Sequence, residues 1–160
     1  MYYCYVDTPI GELLLAGTEN ALSLIGFPKG SMRRDPGPDW IFKEEPFEKV
    51  RQQLREYFEG QRREFDIPLS LKGTDFQLSV WHELREIPYG TTVSYGEVAK
   101  RIDNPKAVRA VGAANGRNPI PIIVPCHRVI GSHGDLTGFG GGLDTKEALL
   151  RLEAEHTSLL

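Results

Sequence analysis

Residues 94–114 read SYGEVAKRIDNPKAVRAVGAA and predict two short helices joined by a tight turn. Ser94 and Glu97 have the spacing of a capping box, which opens the first helix. Asn104-Pro105 predicts the start of the second helix, because asparagine caps helix N-termini and proline is favoured at the first helical position. The pair has the proportions of a helix-turn-helix, a motif that reads DNA in some proteins and only packs against neighbouring helices in many others.

The charges and side-chain sizes in these two predicted helices are compatible with two interpretations, packing within the protein or binding to DNA. The predicted second helix presents Arg109 among small residues, which allow another backbone to approach closely. That partner is either a neighbouring helix or the wall of a DNA groove into which Arg109 reaches. Residues 90–130 carry six basic and two acidic side chains, whereas residues 1–70 carry nine basic and twelve acidic ones. A basic region on an acidic protein is compatible with a phosphate partner, and also with a solvated helix face.

Further along the chain, residues 125–129 read PCHRV and lie between two turn elements, residues 118–119 and the glycine-rich residues 138–142. A cysteine beside an imidazole can be held as a thiolate, which is the nucleophilic form. Adjacent residues on a strand point to opposite faces, so a link between Cys126 and His127 requires a bridging water or a backbone kink. The alternative is a buried cysteine and a hydrogen-bonded histidine without reactivity.

The C-terminal half is predicted to be mostly helical. Thr74 and Gln77 form another capping box, and the helix that they open is ended by the turn residues 88–90. Asp144 opens the last predicted helix, which contains Glu153. That carboxylate completes a cysteine–histidine–carboxylate array, in which the acid orients the imidazole.

The N-terminal half is predicted to form a small antiparallel sheet with one helix. Pro46 opens that helix, and apolar side chains follow helical spacing as far as Gly60. Apolar runs separated by turn residues indicate a meander of strands. The predicted strands are residues 2–6, 11–16 and 21–27.

A charged segment over residues 61–73, with a short predicted strand at Phe65–Leu69, separates the two halves. We therefore predict an α+β chain with an N-terminal domain of residues 1–70 and a mostly helical C-terminal domain of residues 71–160. A length of 160 residues is enough for one or two small domains with a proper core.

Composition argues against several classes of protein. No apolar run approaches the roughly 20 residues of a membrane-spanning helix, and the N-terminus lacks the basic segment of a secretory signal. Two distant cysteines suggest a reducing compartment, so we expect a cytoplasmic protein. Cys4 and the remaining histidines have no ligand spacing, so we expect no metal site.

Residues 118–130, NPIPIIVPCHRVI, closely resemble the active-site signature of the O6-alkylguanine-DNA alkyltransferases, also called methylated-DNA–protein-cysteine methyltransferases. The resemblance extends from Phe76 to Glu153 and includes the helix-turn-helix residues. It implies a helical DNA-binding C-terminal domain and a smaller ribonuclease H-like domain, which the N-terminal half matches only in length and strand pattern.

The resemblance implies a single-turnover DNA repair reaction that needs no cofactor. Cys126 would attack the alkyl group on O6 of guanine and leave S-alkylcysteine and a repaired base. Because the lesion lies inside double-stranded DNA, the base must be flipped out, at a cost of about a few kcal/mol. The protein would act as a monomer on duplexes with alkylated guanine, and O4-alkylthymine is a further candidate substrate.

Site roles follow from the same resemblance. His127 would act as a base through a water, and Glu153 would polarise it. Asn118 would hold the turn before the active-site strand, and Lys146 would support the site electrostatically. The residues that would line the substrate pocket are Tyr95, Val129, Phe139, Gly140 and Lys146.

The implied DNA interface centres on the helix-turn-helix. Arg109 would fill the stack that the flipped base leaves, and Tyr95 would press on the flanking phosphate. The small residues of the second helix would allow it to enter the minor groove. The other residues expected to contact DNA are Gly96, Asn104, Gly112, Ala113 and Ser132.

Two positions depart from the family pattern. Many members have tyrosine where this chain has Phe139, and a larger residue such as serine is common at Gly140. The backbone carbonyls of Cys126 and Val129 would bind the guanine amine, and the Gly140 amide would receive the charge that develops on O6. We hypothesise that the glycine-rich loop widens the pocket for larger alkyl groups.

Three rival classes share parts of this pattern. Lesion-binding proteins that do not repair carry tryptophan in place of the cysteine, and Cys126 argues against that class. A helix-turn-helix regulator would not need a buried cysteine–histidine pair. A cysteine hydrolase would need an oxyanion hole and a water route for deacylation.

Overall fold

The computed structural model describes residues 1–134, 136 and 139–157, so Gly138 of the predicted glycine-rich stretch lies outside the described residues. The fold is α+β, as predicted. The N-terminal strands are β1 (Tyr2–Thr8), β2 (Gly11–Gly17), β3 (Leu22–Gly26) and β4 (Ile41–Phe42). They form one sheet in the order β3-β2-β1-β4, which is followed by helix α1 (Glu48–Phe58).

The predicted antiparallel meander is confirmed for the first three strands. β1 pairs with β2 along its whole length, and β2 pairs with β3. Cys4 and Val6 are buried between more exposed neighbours, so one face of β1 packs into the core. The β4 strand has no counterpart in the prediction, because a two-residue parallel edge strand is too short to show a periodic pattern.

The strand predicted over Phe65–Leu69 is wrong. This segment runs beside β3 and forms only a single bridge, between Leu69 and Leu22. The Leu22 amide donates to the Pro68 carbonyl at 2.9 Å, and the Ser70 amide donates to the Leu22 carbonyl at 2.8 Å. Pro68 has no N–H to donate, so a longer ladder does not form.

The predicted helix near Pro46 is confirmed. A 3₁₀ turn over Glu45–Phe47 contains this proline and leads directly into α1. Tyr57, on the inner face of α1, is fully buried. The helix ends before Gly60, whose φ of +77° is the left-handed conformation that favours glycine after a helix.

The C-terminal half is mostly helical and contains the predicted helix-turn-helix. Its elements are α2 (Asp75–Leu84), β5 (Val93–Ser94), α3 (Tyr95–Arg101), α4 (Val108–Gly116), β6 (Val129–Ile130) and α5 (Leu143–Thr157). Thr74 and Gln77 form both bonds of the predicted capping box. Ser94 forms one such bond, to the Glu97 amide at 3.0 Å, while the Glu97 carboxylate pairs with Arg101 at 3.2 Å.

The predicted helix cap at Asn104 is wrong. Helix α4 begins at Val108, with Ala107 in the cap position and no side-chain cap bond. The Ala107 amide donates to the Asn104 carbonyl at 2.9 Å, so residues 104–107 form a turn. Pro105 occupies the second position of that turn, where its fixed φ is favoured, and the turn delays the start of the helix.

Three contacts place the site between the helix-turn-helix and the N-terminal sheet. β5, just before α3, pairs in parallel with β6, which begins at Val129. Trp81 of α2 donates its indole N–H to the Ala114 carbonyl at the end of α4, at 2.9 Å. The Ile25 amide of β3 donates to the Pro119 carbonyl at 2.9 Å, which joins the sheet to the segment before the site.

Candidate functional site

Cys126 lies in a single 3₁₀ turn, Cys126–Arg128, and not on the predicted strand. The Arg128 amide closes the turn by donating to the Pro125 carbonyl at 3.0 Å, and β6 begins only after it. Adjacent side chains on such a turn are about 120° apart instead of opposite. The turn is a backbone kink, so the two side chains are not on opposite faces as they would be on a strand.

Asn118 holds the turn that precedes the cysteine. Its Oδ1 accepts from the Ile120 amide at 3.0 Å, and its Nδ2 donates to the Val124 carbonyl at 2.7 Å. Inside this turn, Ile122 has a φ of +75°, a conformation that β-branched residues rarely adopt. The buried Asn118 side chain stabilises a backbone path that would otherwise be unfavourable.

Glu153 is the centre of a fully buried polar network. Its Oε2 accepts from Tyr57 Oη at 2.6 Å, His127 Nε2 at 2.6 Å and Arg128 Nη2 at 3.1 Å, and its Oε1 accepts from Arg128 Nε at 2.8 Å and the Gly90 amide at 3.1 Å. Burial acts to raise the pKa of Glu153, but the hydrogen bonds from His127 and Arg128 and the Arg128 charge hold it well below its usual range. The carboxylate is therefore ionised.

This network fixes the tautomer of His127. An ionised carboxylate only accepts hydrogen bonds, so the His127 Nε2 atom carries the hydrogen. Burial lowers the pKa of His127, which keeps the ring neutral. Its Nδ1 atom is buried and has no hydrogen-bond partner among the described residues. A lone pair on Nδ1 is thus available to take a proton.

The thiol of Cys126 is protonated at rest. Burial raises the pKa of Cys126 to about 11, against the opposing effects of a hydrogen bond from Asn118 and the charge of Lys146. The thiolate expected from the sequence is therefore not the resting form at neutral pH. A nearby base has to remove the proton before the sulfur can react.

Lys146 brings the predicted pocket residues together. It is fully buried, and its Nζ donates to the Val129 carbonyl at 2.6 Å. The same Nζ lies 6.0 Å from the centroid of the Tyr95 ring and 5.9 Å from that of Phe139. The lysine is therefore close to two half-buried aromatic rings, at distances typical of a weak cation–π contact.

Gly140 is buried, and the Met32 side chain occupies the space next to its Cα atom. A larger residue at this position would collide with Met32 of the N-terminal domain. That the glycine-rich loop widens the pocket for larger alkyl groups stays a prediction. The small size of Gly140 is explained by the fit between the two domains.

The residues predicted to contact DNA lie on or near the surface of the helix-turn-helix. Gly112 of α4 faces the Tyr95 ring, and a Cβ atom there would lie 3.9 Å from it, which is an ordinary contact. The surface and the pocket therefore meet at Tyr95. Asn104, Arg109, Ala113 and Ser132 are exposed, whereas Tyr95, Gly96 and Gly112 are half-buried.

Sequence reasoning missed three members of the site. Arg128 has a detectable signal, since it directly follows His127 within an apolar run and must have a buried partner. Tyr57 has none, because it comes from a helix of the other half of the chain. Asn115 at the end of α4 is also buried, and its Nδ2 donates to the Cys126 carbonyl at 3.3 Å.

The described residues offer neither a metal-binding cluster nor a membrane-spanning helix. Across residues 1–134, 136 and 139–157, no three His, Cys, Asp or Glu side chains are grouped so that they could hold a metal ion. Within the same part of the chain, every helix is too short or too polar to span a bilayer.

Comparisons with known proteins agree along nearly the whole chain. Residues 1–71 match the ribonuclease-like domain, and residues 75–155 the DNA-binding domain, of 6-O-methylguanine DNA methyltransferase. A methylated-DNA–protein-cysteine methyltransferase of Methanosarcina acetivorans is 55% identical over 96% of this chain and 98% of its own. A protein of the same name from Haemophilus influenzae is 49% identical over 96% of this chain and 86% of its own. The crystal structure of Mycobacterium tuberculosis OGT in complex with DNA matches with a TM-score of 0.92 and 49% identity, over 98% of this chain and 94% of that one.

Proposed function

Because the chain belongs to the 6-O-methylguanine DNA methyltransferase family, we propose that it repairs O6-alkylguanine in DNA by transferring the alkyl group irreversibly to its own Cys126. The single observation that carries this proposal is the buried Cys126 beside a neutral His127, whose Nδ1 lone pair is unused and whose Nε2 is held by Glu153. In such a site the thiol stays protonated until His127 accepts its proton.

The reaction begins with proton transfer from the thiol. His127 Nδ1 takes the Cys126 proton through a bridging water, and Glu153 stabilises the imidazolium that forms. The sulfur electron pair then forms a bond to the alkyl carbon, and the bond from that carbon to O6 breaks. The electron pair of the broken bond stays on the guanine, which takes a proton from water to become the repaired base, and the imidazolium of His127 returns its proton to water. Since the thioether is not hydrolysed, each molecule reacts once.

The substrate pocket would be formed by backbone groups and by the residues around Lys146. The carbonyls of Cys126 and Val129 would accept hydrogen bonds from the guanine amine, and the Gly140 amide would donate to O6. Lys146 supports this arrangement by binding the Val129 carbonyl, which fixes its direction. Tyr95 and Phe139 would border the base, because both rings lie about 6 Å from the same Lys146 Nζ that binds the Val129 carbonyl.

Double-stranded DNA with alkylated guanine would bind across the helix-turn-helix in the C-terminal domain, residues 71–160, with the domain of residues 1–70 behind it. Arg109 would replace the flipped base in the stack, because it is exposed on α4 among small residues. Gly112 and Ala113 would allow α4 to enter the minor groove, and the remaining contacts would come from Gly96, Asn104 and Ser132. The protein would act in the cytoplasm as a monomer, and O4-alkylthymine is a further candidate substrate.

Intact-protein mass spectrometry tests the proposal directly. The protein is incubated with a duplex that contains one O6-methylguanine, and a Cys126→Ala variant serves as the control. We expect the mass of one added methyl group in the wild-type protein and none in the variant, which still binds the duplex. Lesion-dependent binding by the wild type without any gain in mass would place the chain among lesion-binding proteins and overturn the proposal.

A further inference from the structure

A turn of the N-terminal domain, residues 27–32, presses against the pocket segment of residues 139–142. The Met32 amide donates to the Gly140 carbonyl at 2.9 Å. The rings of Phe27 and Phe139 lie 5.7 Å apart, centroid to centroid. Just beyond this contact, Lys29 forms an ion pair with Asp144 at the start of α5. The pocket segment is thus held by contacts from the N-terminal domain.

Glycines on both surfaces make this contact unusually close. A Cβ atom on Gly30 would lie 2.1 Å from the Gly140 carbonyl oxygen, and one on Gly140 would lie 2.2 Å from Met32 Cγ. A Cβ atom on Gly141 would lie 2.7 Å from the Phe27 ring. Real Cβ atoms do not approach other atoms this closely, so neither surface has room for a methyl group.

Gly134 is a matched comparison for Gly30. Gly134 has a φ of +82°, similar to the +78° of Gly30, but a Cβ atom there would meet nothing within 4 Å. Gly134 therefore provides only a turn conformation, whereas Gly30 provides both a turn conformation and a close approach. Alanine substitutions at Gly30 and Gly134 therefore separate the effect of backbone strain from the effect of a steric clash with Gly140.

We propose that Gly30 and Met32 are positioning residues for alkyl transfer, which set the location of the Gly140 amide at the pocket from the N-terminal domain. This inference rests on the proposed function, in which that amide donates to O6. The amide and the carbonyl that Met32 holds belong to the same residue, so a shift of one moves the other. A misplacement of about 1 Å near reacting groups can cost as much as 10²-fold in rate.

The first test compares Gly30→Ala with Gly134→Ala. We measure the single-turnover rate of transfer from free O6-benzylguanine at saturating concentration, so that DNA binding plays no part. We expect Gly30→Ala to slow transfer by about tenfold or more, and Gly134→Ala to change it by less than about twofold. Equal effects of the two variants would show that backbone strain alone is responsible and would overturn the proposal.

The second test is a double-mutant cycle between Met32 and Gly140. Gly140→Ala alone should slow transfer, because its Cβ atom collides with Met32 Cγ. Met32→Ala removes that atom, so the double variant Met32→Ala/Gly140→Ala should regain most of the rate lost in Gly140→Ala. A double variant as slow as the product of the two single effects would contradict the proposed fit.

Thermal unfolding and the substrate dependence of the rate distinguish a positioning role from a purely structural one. Positioning predicts a loss in the maximal transfer rate of fully folded variants, whereas a structural role predicts a loss of folded protein at unchanged rate per folded molecule. If the wild type transfers no alkyl group, the proposed function fails. If the wild type transfers and all these variants match it, only the present inference fails.

Discussion

The two sides of Cys126 are built in opposite ways. On the base side, His127, Arg128 and Glu153 form a buried network in which the carboxylate accepts five hydrogen bonds. On the substrate side, Lys146 binds one carbonyl, and the aromatic rings beside it are half-buried. The proposed proton acceptor is thus held by a preformed buried network, whereas the proposed substrate side is formed by a buried lysine and two half-buried rings.

The largest effect is expected when the proposed proton acceptor, His127, is replaced. His127→Asn should slow transfer to O6-benzylguanine at neutral pH by about 10²–10⁴-fold, the usual contribution of a general base. Because burial lowers the pKa of His127, the wild-type rate should stay flat from about pH 7 to 9 and fall only when the ring protonates at lower pH.

In the variant, the thiol has to ionise without help from His127, against the burial that raises the pKa of Cys126 to about 11 in the wild-type protein. The rate should then rise by about tenfold per pH unit over that range. His82→Asn, at an exposed histidine, is the control and should keep the flat profile. A tenfold rise per pH unit in the wild type itself would remove His127 from the role of base.

The next effect concerns the charge balance of the base side. Arg128→Leu leaves the Glu153 carboxylate buried without its cation, so we expect a loss of about 3–5 kcal/mol in the free energy of unfolding. Chemical denaturation measures this loss. Arg151→Leu is a matched control on α5, since Arg151 pairs with Glu147 at the surface and should change stability by less than about 1 kcal/mol. Similar losses in the two variants would show that the buried network does not carry the stability assigned to it.

On the substrate side, Lys146→Met should slow transfer by about 10²-fold while the protein stays folded, because methionine fills the space but cannot orient the Val129 carbonyl. It should also raise the pKa of Cys126, since Lys146 lowers it, and the pH dependence of thiol alkylation reports that change. Lys100→Met, on the exposed face of α3, is the control. A normal transfer rate in Lys146→Met would mean that the lysine only fills space.

The smallest effect is expected at the proposed DNA surface. Arg109→Ala should slow repair of O6-methylguanine in duplex DNA by about tenfold, because filling the vacated stack offsets part of a flipping cost of a few kcal/mol. The rate with free O6-benzylguanine should not change, since no base has to be flipped. Equal losses with both substrates would exclude this role. Arg151→Ala removes the same charge from α5, outside the helix-turn-helix, and is the control.

Much of the fold follows from local patterns. The antiparallel strands of the N-terminal meander and the capping box at Thr74 depend on residues close together in the chain, and both are confirmed. The predicted strand at Phe65–Leu69 and the predicted cap at Asn104 are wrong for the same reason. In each case a proline-containing segment shifts or shortens the element by a few residues, and the spacing of apolar residues does not resolve such a shift.

The catalytic motif is equally legible in the sequence, because Cys126 and His127 are adjacent and the surrounding signature is long. The protonation states of these two residues cannot be read from the sequence. Their protonation depends on burial and on Glu153, which lies 26 residues from His127, and on Tyr57, which lies 96 residues from Glu153. Only the packed protein shows that the thiol rests protonated while the imidazole keeps a free lone pair.

The class of fold, the helix-turn-helix and the adjacent Cys126 and His127 can therefore be read from the amino-acid sequence, since each is encoded by neighbours within one segment. The electrostatics around Glu153 and the close contact between Met32 and Gly140 arise only when the chain packs. Both depend on groups brought together from distant parts of the chain. Desolvation and steric exclusion act through space, so no pattern within a single segment records them.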